Sequence, residues 1–312
     1  MFCSHWLLNC IGLECVLATV CLGARLDEKG EAIHLNCGPR STCVAAGRGD
    51  WVLPLLLLLA IAVSFAAEQL LPYEPEWNRD HGDGVTNFLH AVVNEISIFV
   101  SVLALPLVAA YVPGLNLWPH DWPIWIQLLL AILIADAGIS LTHFFSHRYS
   151  WLWRLHAVHH AAPRLYGFNG LMKHPIHQSI ELAAATVPLI VLGFGPTIAW
   201  LVGYAVAIQL LLQHSNVDMR IGKLGYIWAI APAHRHHHIA SAKDGDVNFG
   251  LFTTLWDHLL GTFVLDSRPT PRNGQLGIEG DPDFPRGYAE HLAAPFVRQS
   301  APIASNNGSR RA

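Results

Sequence analysis

Histidine placement raises the first chemical question. His143, His147, His156, His159 and His160 fall within the eighteen positions of "HFFSHRYSWLWRLHAVHH", and His234, His237 and His238 fall in "HRHHH". Imidazole is the commonest metal ligand among side chains. His143 and His147 are four apart, one turn along one helix face. His156, His159 and His160 have i, i+3, i+4 spacing, and His234, His237 and His238 repeat it, so each trio converges on one patch of a helix. His236 falls off that pattern. A single His-x3-His pair arises often by chance, but three clusters, two with the same spacing, point to metal. Structural zinc takes four ligands and catalytic zinc three plus water. Eight imidazoles instead fit two metals, each held by several histidines with positions left open. Imidazole suits Fe, Zn and Cu alike. The chain has no G-x-S-x-G, and it offers far more histidine than a Ser-His-Asp site needs.

The elements that must position these side chains are apolar. Charged residues are 13% of the 312 positions, about half of the ~25% usual in soluble domains. Apolar residues reach 52%, and the 19 histidines equal Lys plus Arg in number. Lipid is the implied solvent. Blocks 51–71, 94–112 and 123–142 are each long enough to cross a bilayer, which takes ~20 residues. Block 182–213 is too long for one crossing, and "GFGP" in its middle predicts a helical hairpin. The hairpin returns the chain to its starting face, so 143–181 and 214–265, which hold the histidines, share one side. Arg148, Arg154, Arg164 and Lys173 lie in the first of these, which makes that side cytoplasmic by the positive-inside rule. The expected fold is all-α: an integral membrane bundle of four to five spanning helices with a cytoplasmic histidine-rich helical cap. Ligand number and a membrane setting together favour two irons that activate O2.

Other features set boundaries. The net charge of −4 gives no sign of a nucleic-acid partner. All six cysteines precede residue 44, with no CxxC pair. We read 1–50 as an N-terminal appendage dispensable to the chemistry, 51–265 as the membrane domain, and 266–312 as a polar, partly disordered tail. Asp136 lies seven residues before His143 on the same stripe. It is placed either to accept the spare N–H of a ligating histidine and fix its tautomer, or to bond a helix hydroxyl. Asn248 or Asp246 in "DVNFG", and Asp257 in "WDHLLGTF", are placed to orient imidazoles, with ordinary loop capping the alternative for Asp246. Trp118, Trp122, Trp125, Trp151 and Trp153 suit interfacial belts.

The order H143-x3-H147, H156-x2-H159-H160, "QHSNV", "HRHHH", "DVNFG" and "WDHLLGTF" resembles the fatty acid hydroxylase / sterol desaturase superfamily of membrane enzymes. The likeness runs from about residue 51 to about 296 and includes "LGIEG…AAPF". It implies a non-haem di-iron centre that hydroxylates or desaturates a sterol, fatty acyl or related lipid with O2 and two electrons. Carried over by position, the ligands are His143, His147, His156, His159, His160, His234, His237 and His238. His214 in "QHSNV" is a further ligand, and His174 in "MKHPIH" is either a ligand or a support behind one. Two departures stand out: His177 replaces an acid common after the His-Pro, and His258 and Leu260 replace a basic residue and Phe. No CxxC haem signature is present, so electrons are expected from a separate ferredoxin or cytochrome b5 type donor. The rival readings are a membrane metal-binding or transport protein, which wants ionisable residues spread through the spans, and a zinc-dependent membrane hydrolase. Only Asp136 and Glu68 lie deep in apolar runs.

Overall fold

Proline and glycine set where the long helices begin and end. A computed structural model describes residues 52–297 apart from 80, 267 and 268, so the expected appendage and the terminal "SNNGSRRA" lie outside the described residues. The long helices are α1 (Val52–Leu70), α2 (Gly84–Ala109) and α3 (Ile124–Ser146), followed by a short α4 (Ser150–His160). Two more, α5 (Pro175–Leu192) and α6 (Pro196–His214), form the hairpin. Gly193 caps α5 in the left-handed region at φ 89°, a conformation that favours glycine. Pro175 and Pro196 occupy first-turn positions where the missing N–H has no partner to lose. The hairpin turn falls at "GFGP" as its sequence predicts, and α5 begins seven residues earlier than the apolar block.

Four helices, α1, α3, α5 and α6, are long and apolar enough to cross a membrane among the described residues. The 94–112 block forms the second part of the 26-residue α2, which runs between the same two faces. At its start Asn87 donates to the Tyr166 hydroxyl. After its end, the amides of Leu115 and Leu117 donate to the carbonyls of Val191 and Leu192 at the far end of α5. Leu55 and Leu58 on α1 and Phe99, Leu103 and Leu107 on α2 stand exposed on the outside of the bundle. In water each would forfeit ~25 cal/mol per Å² of apolar surface, whereas lipid covers them at no such cost. The protein is a membrane protein.

Close packing in the bundle depends on small residues. A Cβ at Gly138 would run into the Ala184 carbonyl, so α3 and α5 touch backbone to backbone. The shorter helices α7 (Ala231–His237), α8 (Leu255–Leu260) and α9 (Tyr288–Val297) follow, with a single turn at Ala242–Gly245 between the first two. Helix α9 lies inside the segment expected as a polar tail. It packs on α4 and α2, burying His291 and Ala294. Among the described residues there are no strands, only isolated β-bridges.

Candidate metal centre

The two His-x2-His-His helices, α4 and α7, meet at the end of α3 and α6, and each divides its trio. His143, His147, His156, His160 and His237 form one group; His159, His214, His234 and His238 form a second. Within each group one nitrogen per ring lies within 4.8 Å of all the others. Helix α4 gives its i, i+4 pair to the first group and its middle histidine to the second. Helix α7 does the reverse, giving His234 and His238 to the second and His237 to the first. The same five-residue spacing thus serves two adjacent sites from opposite sides, and the His160 and His238 rings stack across the divide at 4.7 Å. All nine histidines are buried.

Backbone carbonyls fix four of the rings. His143 Nδ1 donates to the Phe249 carbonyl at 2.9 Å and His237 Nδ1 to that of Val247 at 2.8 Å. His159 Nδ1 donates to Met172 at 3.2 Å and His214 Nδ1 to Leu210 at 3.1 Å. A carbonyl only accepts, so these rings carry their proton on Nδ1 and present bare Nε2 lone pairs to the interior. The Nε2 atoms of His159 and His214 then face each other 3.2 Å apart. Two lone pairs so directed in a dry interior repel unless a cation lies between them. Further Nε2 pairs in the two groups are 3.0 to 3.1 Å apart. A metal with bonds of about 2.0–2.1 Å to nitrogen spans ligand edges of roughly 2.9–3.4 Å, so the donor set fits a metal in each group. His143 Nε2 has no hydrogen-bond partner among the described residues, as a ligating atom requires.

Electrostatics keep the ligands in the form that binds. Burial, reinforced by neighbouring imidazoles, holds His156, His159, His160, His234 and His238 well below the ordinary imidazole value. Burial also pushes His237 down to about 3. At neutral pH these rings are neutral, which is the metal-binding state.

The remaining sequence-predicted residues have different tasks. Asp136 supports no histidine: its carboxylate accepts from the amides of Leu251, Phe252 and Thr253 and from the hydroxyls of Thr253 and Ser140. The loop 251–253 lies at membrane depth with irregular backbone, and an acid there satisfies donors that lipid cannot. Asn248 likewise staples the loop, donating to the carbonyls of Ala233 and Val264 and accepting from the Val264 amide, rather than contacting a ring. Asp257 acts at one remove. It accepts from the amides of Phe249 and Gly250, holding the carbonyl that receives His143. Asp246 is the carboxylate nearest a ligand, 3.9 Å from His147 Nδ1, and is bridged to Arg148 at 2.5 Å.

His174 lies outside both groups. Its Nδ1 accepts from the Ile176 amide at the start of α5, and its Nε2 donates to the Leu292 carbonyl. His177 comes closer, with its ring 4.7 Å from that of His156 and its Nε2 2.8 Å from the Ser146 hydroxyl. Lys173 and Glu181 form a buried ion pair at 2.6 Å beside it. Sequence reasoning placed none of these three beside the metal centre. An ionisable pair flanking a His-Pro at the mouth of an apolar block was the available signal.

Known proteins resemble the chain over the same stretch. The fatty acid hydroxylase family model matches residues 128–262, the stretch that holds all nine histidines. An ornithine lipid hydroxylase, OlsE, of Rhizobium tropici is 32% identical over 255 residues, covering 78% of this chain and 76% of its own. The chain belongs to the fatty acid hydroxylase family. An alkylglycerol monooxygenase of Danio rerio is 30% identical over 155 residues, 48% of this chain and 32% of its own. A cholesterol 25-hydroxylase of Mus musculus is 27% identical over 175 residues, 50% and 54% of the two chains. No solved structure matches. As a family member the chain is a membrane oxidoreductase with a metal-binding histidine site.

Proposed function

We propose that this protein is a di-iron lipid hydroxylase, with His143, His147, His156, His160 and His237 holding one iron and His159, His214, His234 and His238 the other. The observation that carries the reading is the pair of adjacent, buried, all-imidazole groups whose nitrogens converge at metal-ligand spacing. Two adjacent all-imidazole groups exceed what a hydrolase with a single zinc needs, and together with the relatives' names this favours iron and O2 over hydrolysis. The relatives are named for acting on an ornithine lipid, alkylglycerol and cholesterol, all amphipathic, which supports a lipid as substrate. Each is named a hydroxylase or monooxygenase, which favours oxygen insertion over desaturation.

Bound iron would supply O2 activation. The chain supplies the rest. Carbonyls of Phe249, Val247, Met172 and Leu210 hold the rings in one tautomer, Asp257 fixes the Phe249 carbonyl, and apolar helices exclude water. In balance, a C–H bond breaks and a C–O bond forms, one oxygen atom of O2 enters the lipid, and the other leaves as water with two electrons and two protons. The electrons come from a separate ferredoxin or cytochrome b5 type carrier. A cytoplasmic metal face is supported by Arg148, Arg154, Arg164, Lys173, Lys223 and Lys243 on it and by the far-face loops 110–123 and 193–195, which contain neither Lys nor Arg; Arg25, Lys29, Arg40 and Arg48 before α1 run against this orientation if that segment is translocated.

Metal analysis of protein purified without added metal, with product formation under labelled dioxygen, tests this. Two irons per chain and label in a lipid product are expected. One zinc, or product formation undiminished under argon, would overturn it.

A further inference from the structure

Two stretches on either side of the "HRHHH" ligands turn back toward the bundle: 222–229, which opens with a 3-10 turn at Gly222–Tyr226, and 250–260, which includes α8. Their anchors fix how far they reach. The Gln209 side-chain amide of α6 donates to the carbonyls of Ala229 and Leu251, and Asp136 of α3 accepts from the amides of 251–253. Asp136 is twelve residues from the far end of α3 at Ile124, and Gln209 is thirteen from the far end of α6 at Pro196. At 1.5 Å per residue these are roughly 18 and 20 Å, so two helices give the anchor one depth. A hydrocarbon core ~30 Å thick that begins at those far ends extends roughly 10 Å beyond it. His143 and His214 fall close to the edge of that core, at roughly 28 and 27 Å.

The outward face at this level is apolar and uncovered. Ile227 is 66% exposed and Leu259 68%, and Leu224 and Leu255 are each about half exposed. Leu255 and Leu259 are four apart, on one face of α8. The Thr254 amide, just before α8, donates to the Ile227 carbonyl and joins the two stretches. Leu129, seven residues before Asp136 and so on the same face of α3, is 53% exposed. Beneath the loop, then, the surface continues into the lipid-facing side of a spanning helix.

Polar groups in the two stretches are satisfied from within. The Thr254 hydroxyl and His258 Nε2 donate to the Tyr226 carbonyl, and the Trp228 indole N–H donates to the Gln209 side-chain oxygen. The amides of Trp228 and Ala229 donate to the carbonyls of Leu224 and Phe252. Irregular backbone survives at membrane depth only when such groups have partners. Charge stands beside the apolar face. Lys223 is exposed, and its long stem can carry the ammonium to headgroup level. Asp266 accepts from the Tyr226 hydroxyl, which makes Tyr226 a marker of the level where lipid gives way to water.

We propose that 222–228 and 253–260 form a wedge set into the metal-side leaflet without crossing it, and that its partner is the acyl chains of that leaflet. Ile227, Leu255 and Leu259 contact the chains, and Lys223 meets lipid phosphate at the rim. Part of the segment expected as a cap above the bilayer thereby becomes a membrane element. The inference concerns lipid contact alone and does not depend on which metal the histidines hold.

The test uses the full chain with its six cysteines, all before residue 44, changed to serine. Ile227→Cys, Leu259→Cys, Leu129→Cys and Asp283→Cys are each labelled with an environment-sensitive fluorophore in phosphatidylcholine nanodiscs. Quenching by a nitroxide on the lipid acyl chain is compared with quenching by aqueous iodide. Labels at 227 and 259 should behave like that at 129, losing emission about twofold to the nitroxide and little to iodide. The label at 283, on an exposed loop, should show the reverse. Absence of nitroxide quenching at either 227 or 259 overturns the proposal, whatever covers the face instead. Leu259→Asp supplies a second measurement without a label. It should lower the melting temperature in nanodiscs by several degrees, whereas a water-facing position tolerates the change, so an unaltered melting temperature also overturns the proposal.

Discussion

The two histidine groups are built from the same helices and differ in number and backing. The first has five nitrogens, an aspartate 3.9 Å from one of its rings, and two carbonyls steadied by the 246–257 segment. The second has four, with no carboxylate within 4 Å of its rings among the described residues and its carbonyl acceptors on Met172 and Leu210. With two irons bound, five ligands leave less room for exogenous atoms than four. The second group is therefore the more open, and each of its histidines matters more.

The largest expected effect tests that asymmetry directly. His238→Ala leaves three ligands in the second group, and we expect it to bind one iron per chain and lose more than 100-fold in activity. His156→Ala leaves four in the first and should retain both irons with a smaller loss. Iron content per chain and turnover with a reduced carrier measure both. Equal losses from the two variants would mean that the groups are equivalent.

Gly170 comes next, because its absent side chain makes the second group possible. A Cβ there would sit 2.6 Å from the Leu210 carbonyl and 2.7 Å from His214 Nδ1. Gly170→Ala should displace His214 and lower iron occupancy of the second group about tenfold. Gly195→Ala, where nothing lies within 4 Å of a Cβ, should change nothing. Asp257→Asn probes the first group in the same way. It weakens the hold on Phe249 and so on His143, and supports of this kind carry ~10–100-fold of metal affinity. Its loss should be confined to one iron.

Most of the fold, and the histidines that the structure brings together, were legible in the sequence, for a physical reason. Histidines at i, i+3 and i+4 and apolar runs of bilayer length are periodic signals, and periodicity survives without coordinates. The division of His156, His159 and His160 between two sites was not legible. It depends on how α4 crosses α7, a tertiary arrangement that spacing within each helix does not encode. Nor was the support of the rings. The sequence offers side chains, so Asp136 and Asn248 looked like imidazole partners. The structure instead uses carbonyls of Phe249, Val247, Met172 and Leu210 and employs those acids and amides to tie down loop backbone at membrane depth.

Acid should act on the apo-protein in a direction the site dictates. His237 is held at about 3 in the folded chain and returns to about 6.5 when unfolded. The other α4 and α7 ligands shift the same way. Above pH 6.5 both states are neutral there and nothing is lost. Below it the unfolded chain takes up protons that the folded site refuses, so stability falls as pH drops from about 6.5 toward 3. Melting of metal-free protein in detergent should shift steadily downward between pH 7 and pH 5. A flat profile would mean that the imidazoles are solvated, contrary to their burial.

The smallest effect belongs to His174, and it marks the outer limit of the metal centre. Its two ring nitrogens are used at the start of α5 and on the Leu292 carbonyl, so His174→Ala should remove a helix cap and a tie to α9. Loss of a side-chain cap costs about 1 kcal/mol. Iron content should stay at two per chain, and activity should fall by less than tenfold, through a looser start of α5. His174→Asn, which can still cap through its side-chain oxygen, should recover most of that loss. If His174→Ala instead released an iron that the Asn variant also failed to hold, the ring would have to swing into one of the two groups in the loaded enzyme. The count of nine would then become ten.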